Sequence, residues 1–164
     1  MDWNAIGAIG EILGAVAVVA TLGYLAVQTR HSVAATQANT RQGILASDQH
    51  FLTNLMQDPT IEVIRFKKDL SDEEKAKLYY FLICFMRMRE SNWLQFDSGG
   101  LDRATWESYR ASIPAIMNNP NGRNWWRNYG TALYSKEFVV EVDDLLEQTP
   151  IQNQSRSFKA FDGE

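Results

Sequence analysis

Glu11 is the residue of this chain with the clearest means to do chemistry, because it is the one charged residue in the apolar run from Ile6 to Val27. A carboxylate in such a run is costly, and the default reading is a functional one. Three readings stand side by side. It can reach out to the headgroups from about 9 Å inside the run's outer end, or hydrogen-bond to a neighbouring helix in its neutral form. Repeated around a symmetry axis, it would make a carboxylate ring that attracts cations, with crowding raising some of the pKa values.

The other candidates are sparser. His31 and His50 lie far apart on what reads as one helix, so they cannot share a metal within one chain. No Cys-x-x-Cys, HExxH, phosphate-binding loop or dinucleotide signature occurs, and no serine and histidine have the spacing of a nucleophile and its base. The single cysteine, Cys84, sits in Leu82-Ile83-Cys84-Phe85, reads as a small buried hydrophobe and fits a reducing compartment. Arg87, Arg89 and Glu90 read as decoration of a helix. Neither an enzyme nor a cofactor or metal is expected. A net charge of −4 leaves no basic footprint for nucleic acid. Arg123, Trp125 and Trp126 combine a cation with paired aromatics, which serves core packing or a cytoplasmic interface.

A helix over Ile6–Val27 would rise about 33 Å, enough to cross a bilayer. The leader Met-Asp-Trp-Asn has no basic residue, and the run is too long for a secretory signal. Trp3 and Tyr24 would lie about 31 Å apart, as two interfacial anchors do. Asp2 is the only charge before the run, while Arg30, His31 and Arg41 follow it. The positive-inside rule therefore places the N-terminus outside and the rest in the cytoplasm.

At 100° per residue, Gly7, Gly10, Glu11, Gly14, Val18, Thr21, Leu25 and Gln28 share one face, and larger apolar residues share the other. The small, polar face suits a neighbouring helix: Gly10 and Gly14 allow close approach, and Thr21 and Gln28 can hydrogen-bond across. With one span per chain, that neighbour comes from a second copy or another protein.

The sequence predicts an all-α protein: a transmembrane helix over 1–28, a stalk helix over 29–58, a compact cytoplasmic helical domain over 59–149 and a flexible tail over 150–164. No proline interrupts the chain before Asp58-Pro59. Ile44, Leu45, Phe51, Leu52, Leu55 and Met56 form an apolar stripe on the stalk that must dock somewhere. Ser71 with Glu74 makes a capping box, Asp102 caps the next helix, and Pro114 should bend it. Glu137, Glu141, Asp144 and Glu147 read as a solvated face of the last helix.

Ile6-Gly7-Ala8-Ile9-Gly10-Glu11, together with Asn121-Gly122-Arg123-Asn124-Trp125-Trp126 and Glu137-Phe138, resembles an uncharacterised group of bacterial single-pass membrane-anchored proteins. Its members share an early acidic residue in the span and a Gly-Arg-x-Trp-Trp element near the end. Asn121 stands where a second small residue is usual. The resemblance implies an architecture and a bacterial inner-membrane location, and no chemistry. Two functions fit the whole chain: a homo-oligomeric cation pore with a Glu11 ring, or a membrane-tethered module that recruits a cytoplasmic protein.

Overall fold

The computed structural model describes residues 3–154, with side chains from Glu11 onward. Among the described residues every regular element is a helix and there is no strand, so the chain is all-α. Helix α1, Trp3–Gln57, runs unbroken for 55 residues. It stops where the sequence says it must, since Pro59 disfavours helical geometry at Asp58. Six further helices follow: α2 (Thr60–Ile64), α3 (Asp72–Asp97), α4 (Arg103–Arg110), α5 (Ser112–Met117), α6 (Pro120–Asn128) and α7 (Lys136–Glu147), with a 3-10 turn over Gly130–Ala132 between the last two.

The chain divides into two units, Met1–Asn39 and Thr40–Glu164. The described part of the first is α1 alone. It is long and apolar enough to cross a membrane, with a window of mean hydropathy 1.8 and none of that window buried.

The second unit begins at Thr40, not at residue 59 as the sequence suggested, because the C-terminal part of α1 belongs to its core. Ile44 is buried, and Phe51 and Leu55 pack against the same cluster. Phe51 meets Phe81 and Phe85 of α3 at centroid distances of 5.4 and 5.9 Å. Helix α3 supplies Leu78, Leu82, Phe85 and Met86 to the centre of the unit, and α7 supplies Phe138, Val142 and Leu146. Trp106, Ile113, Met117 and Trp126 complete it from α4, α5 and α6. The chain beyond Pro150 is also tied down at its start. Gln152 donates its N–H to the Asn118 carbonyl at 2.7 Å, and the Asn118 amide donates to the Thr149 and Pro150 carbonyls. Residues 155–164 of the expected tail lie outside the described residues.

Local chemistry sets the helix ends. The Glu74 N–H donates to the Ser71 hydroxyl at 3.2 Å while the Ser71 N–H donates to the Glu74 carboxylate at 2.9 Å, the reciprocal box the sequence predicts. Just past the end of α3, Gly99 takes a φ of +79°, which suits a residue without Cβ. Pro114 does more than bend its helix. Lacking an N–H, it cannot bond to the Arg110 carbonyl four residues back, and the chain breaks there into α4 and α5. Ser135 begins α7 without a side-chain cap. Its N–H instead donates to Glu90 of α3 at 2.7 Å.

Asp102 caps α4 by accepting the Thr105 N–H at 3.0 Å, and it also pairs with Arg41 of α1. The Thr105 N–H and hydroxyl, with Arg41 beside them, hold the Asp102 carboxyl well below the usual carboxylate range. A depressed folded-state pKa stabilises the fold above about pH 4 and loses that contribution as pH falls further. Asp102→Asn keeps a capping oxygen and removes the charge. At neutral pH it should lower the urea midpoint, with the deficit shrinking below about pH 4 and in high salt, since both partners are solvent-exposed. A deficit that is independent of pH would show that the charge contributes nothing.

Candidate functional site

Gly7 and Gly10 belong to α1, but their surroundings lie outside the described residues. Glu11, Gly14, Val18, Thr21, Leu25 and Gln28 are all exposed among the described residues. A methyl added at Gly14 would meet nothing within 4 Å. Thr21 departs from expectation in its hydrogen bonding. Its hydroxyl donates to the Ala17 carbonyl at 2.8 Å, one turn back, so towards a neighbouring helix it offers an acceptor only. Thr29 and Thr36 do the same with Leu25 and Ser32.

In the Arg123, Trp125 and Trp126 cluster both indoles pack into the core, and Arg123 is half-buried. Trp125 and Trp126 are buried. Trp126 donates its indole N–H to Asp143 at 2.8 Å and stacks on Tyr134 at 5.6 Å. Arg123 donates from Nε to the Asn118 side chain at 2.6 Å and from Nη2 to the Leu146 carbonyl, closing the end of α7. Burial pushes the Tyr134 phenol above its ordinary range.

Two charged residues assigned to the surface are instead in the core. Arg89 is 4% exposed and Glu90 7%. Arg89 donates to Asp48 of α1 at 2.6 Å, and its guanidinium lies 5.1 Å from the rings of both Phe85 and Tyr109. Burial, and then the Asp48 charge, push the Tyr109 phenol up. Glu90 accepts from Arg87 at 2.8 Å and from the Ser135 N–H, while Arg87 also donates to the Leu133 carbonyl and lies over Tyr134. Sequence spacing offered a signal for Arg89, which continues the Leu82, Phe85, Met86 stripe by one turn. Nothing in the sequence pointed to Asp48. These groups bind the end of α1 to α3, and α3 to the start of α7. Cys84 also departs from expectation, being exposed.

One open groove of about 650 Å³ lies between α3 and α6. Tyr79, Tyr80, Trp125 and Tyr129 line it together with Lys68 and Lys75. Tyr79 meets Tyr80, Trp125 and Tyr129 edge-on at 5.5, 6.3 and 6.2 Å, so the wall is one aromatic cluster. The Trp125 indole N–H is buried without an acceptor. No group of three or more His, Cys, Asp or Glu residues able to hold a metal occurs among the described residues.

The class of protein these observations define is an all-α chain with one N-terminal helix suited to a bilayer and a compact helical unit after it. No protein-family model matches the chain, and no curated protein or solved structure matches it.

Proposed function

We propose that this chain is a homo-oligomeric single-pass protein of the bacterial inner membrane whose spans enclose a cation path ringed by Glu11. The observation that carries the reading is the exposed Glu11 carboxylate on the same face of α1 as Gly14, Val18 and Thr21. A face of small and polar residues costs free energy against lipid and is favoured against another helix. Crowded carboxylates around an axis concentrate cations at one end of the pore, and Val18 and Leu25 supply apolar constrictions below it. The Arg30, His31 and Arg41 flank favours an outside N-terminus and a cytoplasmic helical unit.

Native mass spectrometry in detergent tests the assembly, and planar-bilayer recording tests the path. A higher oligomer is expected, conducting cations with a selectivity that Glu11→Gln reduces. A monomer or a tightly packed dimer would leave no lumen and sink the pore. Unchanged conductance in Glu11→Gln would remove the carboxylate from it.

A second reading is favoured by the aromatic groove. In it the span only tethers the chain, and the groove takes an acidic, aromatic-bearing segment of a cytoplasmic protein, with Lys68 and Lys75 meeting its carboxylates. This reading requires the groove to be occupied in a complex that forms whether or not the spans associate.

A further inference from the structure

The apolar stripe near the end of α1 is divided by the fold into two faces, and only one is used. Ile44, Phe51 and Leu55 enter the core. Leu45 and Leu52 remain 53% and 55% exposed, and Met56 is 81% exposed. Gln42 and Gln49, both exposed, fall on the same side as these three. The order Gln42, Leu45, Gln49, Leu52, Met56 advances by alternating steps of three and four residues, the repeat that keeps a seam facing a partner helix. Beside the seam runs an open groove whose far wall is built from Ala104, Thr105 and Ser108 of α4, side chains small enough to admit a neighbour.

The geometry points to a second copy of this chain as the occupant of that seam, paired in parallel along the same face of α1. The chemistry of the face matches itself. The ionised groups flanking it are already neutralised within the chain, Asp48 by Arg89 and Arg41 by Asp102. A like copy therefore approaches without repulsion, whereas a charged partner would find nothing to pair with. A glutamine amide carries both donor and acceptor, so Gln42 and Gln49 can each be satisfied by the same residue of a copy. Leu45, Leu52 and Met56 would be covered by their own equivalents. Anchoring in one membrane fixes the parallel orientation and raises the local concentration of the two seams. This inference rests on the self-association proposed above and assigns its contact outside the span.

Disulfide trapping of the full chain in proteoliposomes tests it. In a Cys84→Ser background, Leu52→Cys, Gly14→Cys and His50→Cys are oxidised separately with copper phenanthroline and read on non-reducing gels. All three positions are exposed, so the fold tolerates each change. Leu52→Cys should cross-link at least about tenfold faster than His50→Cys, which lies off the seam, because paired seams hold the two thiols at contact distance. Equal rates at 52 and 50 alongside trapping at 14 would overturn the seam while leaving the span's association intact. No enhanced trapping at either 52 or 14 would overturn both. Trapping at 52 without 14 would support the seam and remove the glycine face from the assembly.

Discussion

Gly122→Ala should destabilise the helical unit by about 3 kcal/mol, because a methyl there would be forced into backbone that cannot yield. A Cβ built on Gly122 falls 2.4 Å from the Met117 carbonyl oxygen, 3.0 Å from its carbon and 3.1 Å from its Cα. That carbonyl belongs to the turn joining α5 to α6, and both sides of the turn are held. The Asn119 N–H donates to the Met117 carbonyl at 2.9 Å, and the Gly122 N–H donates to the Asn119 side chain at 2.9 Å. Met117 itself is fully buried, so it has nowhere to move. Urea unfolding followed by tryptophan fluorescence reads the effect, since Trp125 and Trp126 sit on the same helix. Gly43→Ala supplies the contrast. Nothing lies within 4 Å of that position, so the same substitution in an open helix should stabilise by up to about 1 kcal/mol. Equal effects at the two sites would show that close approach is not what glycine provides at 122.

Arg89→Ala should cost about 3 kcal/mol, since it leaves a partly buried Asp48 carboxylate without its partner. The loss has two sources that variants separate. Asp48→Asn removes the ion pair and keeps the guanidinium stacked between Phe85 and Tyr109, so it should cost less than Arg89→Ala. The double variant Asp48→Leu/Arg89→Met replaces both charges with apolar groups and should recover much of the stability, as burying a matched charge pair gains little over good packing. A cost below about 1 kcal/mol for Arg89→Ala would place the pair with solvent-screened surface bridges. Because Asp48 belongs to α1 and Arg89 to α3, the same measurement reports how firmly the end of α1 is held in the unit.

Much of the architecture was legible because its causes are local. The apolar run, the absence of proline before Pro59, the Ser71/Glu74 box and the Asp102 cap each act within a few residues, and each appears where the sequence places it. The candidate site was legible only in part. The face shared by Glu11, Gly14 and Gln28 follows from helical periodicity, yet the use of the Thr21 hydroxyl against Ala17 depends on a rotamer that periodicity does not specify.

The errors arose where two distant segments meet. Arg87, Arg89 and Glu90 look like surface residues by type, but Asp48, Ser135 and Leu133 make burial of Arg89 and Glu90 tolerable by supplying partners from other elements. The domain boundary moved to Thr40 for the same reason: the α1 residues that face α3 can be told from their exposed neighbours only once α3 is in place. The sequence by itself determined the all-α class, the end of α1, the caps that start α3 and α4 and a span-length apolar run, because hydrogen bonding within a helix and the spacing of apolar residues are local properties. Only the tertiary structure decided which charges are core, which glycine is indispensable and which half of an apolar stripe stays uncovered. Those depend on groups brought together from positions tens of residues apart, and no local pattern encodes that meeting.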